Sequence, residues 1–273
     1  MIPAAFDYVR ADSADEAIAA LSEHGEDAKL LAGGMSLLPL MKLRLATPAV
    51  LVDVGRVGDL SYVRDGGDHV AIGALTRHRD IETNDLLAQQ CGVLRSVASE
   101  VGDNQVRHRG TIGGSVAHGD PASDLPAALL ALDGAFVVRG PGGERTIPAG
   151  EFFQGFLETA LAPDELLTEI RVPKMPGAGF SYQKFQRRAQ DWAIVGALAI
   201  RNGGARVALV NMGSTPLRAA AVEQSLASGA SVADAAHQAA EGTEPPSDLN
   251  ASSEYREHLA RVLVRRALEA ASG

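Results

Sequence analysis

The chain has 273 residues, of which 46% are hydrophobic and 22% charged, values that suit a compact protein of two domains. Its formal net charge of -9 excludes an extended nucleic-acid surface, which needs clustered lysines and arginines to displace counterions from phosphates. Cys91 is the only cysteine, so the chain forms no internal disulfide and holds no four-thiolate iron-sulfur cluster by itself.

Residues 1–7 lack the basic stretch and long apolar run of a signal peptide, and we expect a cytoplasmic protein without a transmembrane segment. Residues 6–9 predict a short strand. Ser13 and Glu16 have the spacing of a capping box, so a helix is predicted to begin there. Gly25 is predicted to end it in the left-handed conformation.

A first glycine segment follows a predicted buried strand over residues 29–32. Gly33 to Ser36 lead into a predicted helical turn over 37–43, where Pro39 is tolerable because it falls in the first turn. Two later strands are predicted to form a hairpin around Asp65-Gly66-Gly67-Asp68. The strands predicted in this region cover residues 50–54, 61–64 and 69–72.

Residues 76–101 show a helical pattern, and a second glycine segment follows at 110–119. Beyond it we predict a helix over 124–132 and a strand over 135–139, with a tight connection at 140–143. Alternating strands and helices predict an α/β fold for this part of the chain.

Two prolines and a glycine between residues 172 and 177 mark the best boundary between domains. Beyond it, strands come first and helices afterwards, which predicts an α+β domain. The predicted strands cover residues 181–186, 193–201 and 205–212, and the predicted helices cover 218–227, 231–240 and the chain from 253 onward.

Paired glycines in two segments carry the most informative pattern. Ala32 to Leu37 and Thr111 to Ser115 are predicted loops whose backbone N-H groups surround a phosphate, with helix N-termini favouring the anion. The hydroxyls of Ser36, Thr111 and Ser115 suit a diphosphate. One such pair alone is more often an ordinary turn.

Other sequence patterns give weaker indications of a functional site than the paired glycines do. The chain lacks the glycine patterns of Rossmann and P-loop proteins and the His-Glu-x-x-His pair of zinc hydrolases. Two basic runs, 107–109 and 187–188, lie where an anionic cofactor could approach, or are solvated charge. His118 is interpreted as a loop histidine satisfied by backbone carbonyls. Asp124 could accept from a cofactor hydroxyl or cap its helix.

These segments resemble the FAD-binding medium subunit of molybdenum hydroxylases of the carbon monoxide dehydrogenase and xanthine dehydrogenase type. The likeness rests on residues 32–44 and above all on residues 106–124. It covers essentially the whole chain through shorter matches at 151–153, 164–167, 193–195 and 253–256. One departure is Met35, where several relatives carry a polar residue such as histidine.

The resemblance implies an FAD-binding domain over residues 1–175, made of two α/β subdomains split near residue 55. A smaller C-terminal α+β domain with an antiparallel sheet and helices covers 176–273, and FAD lies in the cleft between the domains. The residues implied to bind FAD are Ala32, Gly33, Gly34, Met35, Ser36, Leu37, Thr111, Gly113, Gly114, Ser115, Asp124, Leu161 and Lys184.

In this set Leu161 and Lys184 are implied to lie near the isoalloxazine ring, with core packing and surface exposure as the ordinary alternatives. No catalytic acid or base and no metal ligand is expected.

The implied function is electron transfer. A large molybdenum-cofactor subunit hydroxylates the substrate, a small iron-sulfur subunit relays the electrons, and the FAD of this chain passes them to an external acceptor. We expect a heterotrimer that pairs into a larger assembly. Two alternatives stay open: a free-standing flavin oxidoreductase of the same fold, and a non-catalytic scaffold that lacks FAD.

Overall fold

A computed structural model describes residues 2–271; Met1, Ser272 and Gly273, at the outer ends of the two predicted domains, lie outside the described residues. The strands are β1 (Asp7–Arg10), β2 (Ala28–Leu31), β3 (Val50–Asp53), β4 (Val63–Asp65), β5 (His69–Gly73), β6 (Ala135–Gly140), β7 (Gly143–Pro148), β8 (Phe153–Gly155), β9 (Glu158–Thr159), β10 (Leu166–Pro173), β11 (Gly179–Phe185), β12 (Val195–Arg201), β13 (Ala205–Val210) and β14 (Leu217–Arg218). The helices are α1 (Ala14–His24), α2 (Leu37–Lys42), α3 (His78–Thr83), α4 (Asp85–Gln90), α5 (Gly92–Ser99), α6 (Asn104–Arg109), α7 (Ile112–His118), α8 (Asp124–Ala131), α9 (Ala149–Phe152), α10 (Ala220–Ala227), α11 (Val232–Ala236) and α12 (Ser253–Ala270).

The first sheet is parallel, in the order β1-β3-β2, and has its own core against α1. Ser13 caps α1 by accepting from the Glu16 N-H at 3.1 Å, as predicted. The Glu16 carboxylate accepts from the Asp12 N-H instead of the Ser13 N-H, so the capping box is shifted by one residue. Gly25 ends α1 as predicted, with a positive φ of 54° and its N-H donated to the Leu21 carbonyl, but its ψ of -132° is not that of a left-handed helical residue.

Strand β2 is less buried than its sequence predicted. Ala28 is buried, but Lys29 is exposed and Leu30 and Leu31 are half-buried. The reason is that Lys29 and Leu30 line an open cleft instead of being covered by another layer.

The second sheet has the order β4-β5-β10-β6-β7 and is antiparallel throughout. The mixed fold class is confirmed, but the alternation of strands and helices did not indicate this antiparallel pairing. The pairing arises because β4-β5 and β6-β7 are hairpins, in which consecutive strands run in opposite directions. The central strand, β10, was not predicted; it is buried from Leu166 to Ile170, and on one of its faces Glu169 and Arg171 form an ion pair.

The third sheet has the order β11-β12-β13-β14 and is antiparallel. One face shares a core with α5 and α8, and the other shares a core with α10, α11 and α12. Both faces are therefore buried, which explains the continuous apolar runs of β12 and β13. Strand β14 was not predicted, and α11 is shorter than the predicted helix over 231–240.

Candidate functional site

A cleft of about 780 Å³ brings together all thirteen residues predicted to bind FAD. It runs from β2 and the loop before α2, past α7 and the start of α8, to the segment before β10 and to β11. Ligand clefts of this size hold molecules as large as a dinucleotide when a few polar groups fix their orientation. Residues far apart in sequence thus line one site.

The first glycine segment touches the chain just before the second one. A Cβ added at Gly33 would lie 2.4 Å from the Arg109 carbonyl oxygen and 2.9 Å from the Gly110 Cα. Gly34 has φ 74°, in the left-handed region that favours glycine. These glycines are needed by the protein's own backbone.

Consecutive backbone N-H groups in this first segment are unpaired. Those of residues 33–37, five in all, have no hydrogen-bond acceptor among residues 2–271. The next N-H group, of Leu38, donates to the Gly34 carbonyl at 3.2 Å. All five residues line the cleft. A run of unpaired amides in a concave loop forms an anion site.

The second glycine segment is the start of helix α7, and the predicted loop is wrong. Thr111 is its N-cap, and the Thr111 side chain accepts from the Gly114 N-H at 3.1 Å. The N-H of Ile112 donates to Thr76 O, that of Gly113 to Ala74 O at 2.8 Å, and that of Ser115 to Thr111 O. These amides are already used by the protein, so they are not free phosphate donors.

Two other features of α7 still face the cleft. The Ser115 hydroxyl has no hydrogen-bond partner within residues 2–271 and remains available to a ligand. Gly114 is exposed. Gly113 has a packing role, since an added Cβ would lie 2.6 Å from both Cβ and O of Ala74.

Asp124, Tyr182 and Lys184 form a buried cluster at the other end of the site. The Asp124 carboxylate accepts from Lys184 Nζ at 2.8 Å and from the Tyr182 hydroxyl at 2.5 Å. Ser123 is the N-cap of α8, so the helix-capping alternative for Asp124 was wrong. Lys184, with a side chain only 4% exposed, is also not a surface lysine.

The charges of this cluster depend on one another. Burial raises the pKa of the Asp124 carboxyl above its ordinary value, while Lys184 and Tyr182 act in the opposite direction. Burial and the neighbouring Asp124 raise the pKa of Tyr182 well above its ordinary value. Lys184 Nζ also donates to the Glu100 carbonyl at 2.8 Å. One of its three donors therefore remains without a partner in the described chain.

Among the cleft residues that sequence reasoning missed are His78 and Trp192. Trp192 is 55% exposed and lies in the segment between β11 and β12, and the half-buried Leu161 lines the same cleft. As the only tryptophan in the chain, exposed within a polar stretch, it offered a signal. His78 offered none, because its surroundings are set by tertiary packing.

Other predicted ligands take ordinary positions. His118 is the last residue of α7, and within residues 2–271 it has no carbonyl partner, so that interpretation was wrong; burial lowers its pKa. Arg107 pairs with Glu82 at 3.0 Å, and Arg188 pairs with Asp191. Neither residues 107–109 nor 187–188 line the cleft.

No group of three histidine, cysteine or acidic side chains among residues 2–271 is arranged to hold a metal ion. None of the helices in that range is long and apolar enough to cross a membrane. Cys91 is buried, and burial raises the pKa of its thiol to about 11.

Comparisons with known proteins agree along the whole chain. Residues 4–175 match the family described as FAD binding domain in molybdopterin dehydrogenase, and residues 180–271 match the CO dehydrogenase flavoprotein C-terminal domain. The chain is 42% identical to the carbon monoxide dehydrogenase medium chain of Hydrogenophaga pseudoflava, covering 99% of this chain and 98% of that relative. It is 39% identical to the 6-hydroxypseudooxynicotine dehydrogenase complex subunit alpha of Paenarthrobacter nicotinovorans, covering 98% and 95%.

Solved structures show the same similarity. The carbon monoxide dehydrogenase from Hydrogenophaga pseudoflava that lacks the Mo-pyranopterin moiety superposes with a TM-score of 0.96 at 43% identity, over 99% of this chain and 98% of that one. Quinoline 2-oxidoreductase from Pseudomonas putida 86 gives a TM-score of 0.93 at 32% identity, over 100% and 99%. These likenesses extend through both parts of the fold.

Proposed function

Because this chain belongs to the family of FAD-binding medium subunits of molybdenum hydroxylases, we propose that it is the electron-transfer flavoprotein of such an enzyme. It accepts electrons from an iron-sulfur subunit and passes them to an external acceptor. FAD, when bound, supplies the ability to take electrons singly and release them in pairs. The protein supplies the binding site, the orientation and the local charge.

The observation that carries this proposal is the run of unpaired amides at residues 33–37, which face a cleft of nucleotide size. Neutral N-H donors fixed by the backbone suit a diphosphate, and here no lysine is needed to bind it. The Ser115 hydroxyl, which also lines the cleft, adds a donor. The thirteen residues predicted from the resemblance stand as the proposed FAD site, in which the first segment supplies most of the unpaired amides and Thr111, whose N-H has no acceptor among residues 2–271, supplies one more.

A further polar group of the site is the Lys184 ammonium. It is held by Asp124 and Glu100, so its charge is fixed in position before a ligand binds. We propose that its unpartnered donor faces the isoalloxazine ring, where positive charge favours the reduced flavin. Leu161 and Trp192 supply apolar surface beside it. None of these residues acts as a catalytic acid or base.

The proposed partners follow from the chemistry that this chain lacks. With Cys91 as its only cysteine, the chain needs a separate iron-sulfur subunit, and the molybdenum cofactor lies in a large subunit. Relatives bear the names of carbon monoxide, 6-hydroxypseudooxynicotine and caffeine dehydrogenases. We infer that a similar medium subunit serves different substrates, so the substrate is selected outside it.

We also propose that the chain divides into two domains between residues 175 and 176 and that the protein is cytoplasmic.

Flavin binding is tested first by the visible spectrum of the purified full chain, alone and after adding FAD. Ser115→Asp, which faces the proposed diphosphate with a carboxylate, is expected to abolish the bound-flavin spectrum. Ser115→Asn, of the same size without the charge, is expected to keep it. An aspartate in the first turn of a helix does not destabilise the fold, so the unfolding midpoint of the apo form is expected to be unchanged.

Electron transfer is tested in the complex with the two partner subunits, where adding the substrate of the molybdenum subunit is expected to bleach the flavin. A chain that binds no FAD even with excess FAD and both partners would favour the scaffold alternative. A flavin that is reduced by a small molecule without partners would favour the free-standing oxidoreductase.

A further inference from the structure

His78, the first residue of α3, is a buried polar side chain without a partner. It is 4% exposed and lines the cleft. Its Nδ1 is fully buried and unbonded, and no other residue in the range 2–271 bonds to its Nε2. Burial lowers the pKa of the imidazole to about 4, so the ring is neutral at pH 7. A buried polar group left unpaired is costly and needs an explanation.

Gly110 connects this ring to the first glycine segment. A Cβ added at Gly110 would lie 2.7 Å from Cδ2 and 2.8 Å from Nε2 of His78. On its other side, Gly110 lies against Gly33, whose added Cβ would be 2.9 Å from the Gly110 Cα. The Nε2 edge of His78 therefore adjoins the place where the unpaired amides begin.

The charges around His78 are positive. Arg107 and Arg77 both act to lower the pKa of the ring. Arg107 is neutralised by Glu82, but Arg77 donates to the Arg109 carbonyl oxygen and has no carboxylate partner among residues 2–271. This positive charge favours an anionic oxygen over a neutral hydroxyl at the position beside Nε2.

The tautomer follows from the two ring nitrogens. Nδ1 is inaccessible, and a buried N-H without an acceptor is less favourable than an unprotonated nitrogen. The proton therefore lies on Nε2, the ring nitrogen on the cleft side. We propose that His78 Nε2 donates a hydrogen bond to an oxygen of the FAD diphosphate, completing the anion site formed by the amides of residues 33–37. This inference rests on the proposed function.

The test uses the full chain stripped of flavin and titrated with FAD and with riboflavin, which lacks the diphosphate, by quenching of flavin fluorescence. His78→Gln places an amide nitrogen near the position of Nε2, whereas His78→Asn places it near Nδ1. A hydrogen bond to a charged group predicts that His78→Asn weakens FAD binding by about tenfold or more. His78→Gln is expected to stay within about threefold of wild type, a loss smaller than one hydrogen bond to a charged group.

Two further results are expected. Riboflavin affinity changes less than about twofold in either variant, since it has no diphosphate to contact. His108→Asn, an exposed histidine of the neighbouring helix that does not line the cleft, leaves both affinities unchanged. Circular dichroism of the apo variants checks that each is folded.

Wild-type affinity for FAD in His78→Asn would overturn the inference and leave the proposed function standing. An equal loss for FAD and riboflavin would also overturn it, because the contact would then lie elsewhere on the flavin. A wild-type chain that binds no FAD would overturn the inference together with the proposed function.

Discussion

Gly33 is a single residue on which the shape of the site depends. Its Cα hydrogens face the backbone of Arg109 and Gly110, and a Cβ there would lie 2.4 Å from a carbonyl oxygen. Glycine pairs of this kind resemble phosphate loops in sequence, but here the close approach is between two parts of the protein. The proposed phosphate donors are the neighbouring amides, which the sequence alone does not distinguish from bonded ones.

Gly33→Ala is therefore expected to destabilise the chain by about 1–3 kcal/mol, the usual cost of forcing atoms into a packed region. The urea midpoint of the apo protein measures this effect. Gly150→Ala is the control, because no atom lies within 4 Å of its added Cβ and a helix favours alanine over glycine. Equal midpoints for the two variants would contradict the close contact at Gly33.

His78 also makes a prediction about pH. Its pKa is about 4 in the folded chain against an ordinary value of 6.5, so between these values the unfolded chain binds the additional proton. The contribution of the neutral His78 ring to the free energy of unfolding is fully present above pH 6.5 and is lost as the pH decreases towards 4. The difference between the two pKa values is equivalent to about 3 kcal/mol.

This pH dependence is measured by urea unfolding of the apo chain at intervals from pH 7 to pH 4. His78→Gln, which does not titrate, is expected to lose less stability over that range than wild type. The difference between the two profiles therefore reports the titration of His78. Parallel profiles would show that the ring is not held neutral by burial.

Both members of the Asp124–Lys184 ion pair are buried, with side chains 6% and 4% exposed. Asp124→Asn leaves the Lys184 ammonium buried without its counter-ion, which is expected to cost about 3–5 kcal/mol. Adding Lys184→Met removes that charge, so the double variant is expected to be more stable than Asp124→Asn alone. Unfolding free energies from the four chains of this cycle test the pair. Simple additivity would mean that the two residues are not coupled.

At the scale of elements, the starts of α1 and α12 were predicted, whereas the capped starts of α4 and α6 were not. Ser13 and Ser252 accept from the first-turn amides of α1 and α12, and this signal is local in sequence. Helix α7 was missed because Gly113 and Gly114 read as a turn. Strand β10 was not predicted, although Glu169 to Val172 alternate polar and apolar side chains as a strand does. For α7, tertiary packing overrides the local pattern.

Thr111 tests the helical account of the second glycine segment. It is 3% exposed and its hydroxyl holds the Gly114 N-H at 3.1 Å. Thr111→Val, of similar shape without the acceptor, is expected to cost about 1 kcal/mol, as for other lost N-caps. Thr111→Ser retains the oxygen and is expected to stay within about 0.5 kcal/mol of wild type. Thermal unfolding of the apo chain distinguishes the two, and a loop would show no difference between them.

At the scale of the whole molecule, the sequence predicted which residues meet but not how they are used. All thirteen site residues line one cleft, and it was the resemblance that placed distant segments such as Ala32 to Leu37 and Lys184 together. Which amides are unpaired, and that His78 lacks a partner, depend on hydrogen bonds made across the fold. Such bonds join residues far apart in the chain and have no local sequence signal.

The sheet formed by β11 to β14 links the two parts of the chain matched by separate family models. Leu198 belongs to the core shared with α5 and α8, and Leu209, on the adjoining strand, belongs to the core shared with α10 to α12. Each is 1% exposed. The two cores pack on opposite faces of one sheet. If either core is disrupted, the strands of that sheet unpair together and the other core is disrupted as well.

Leu198→Ala and Leu209→Ala are each expected to cost about 2–5 kcal/mol, as for other buried leucines. Since both act on the same sheet, each is expected to lower the midpoint of one common unfolding transition for the region from β4 to α12. Calorimetry of the apo chain, with near-ultraviolet circular dichroism of Trp192 as a second probe, measures that transition. Leu209→Ala lowering only a separate C-terminal transition, with Leu198→Ala leaving it in place, would show instead that the C-terminal region unfolds independently.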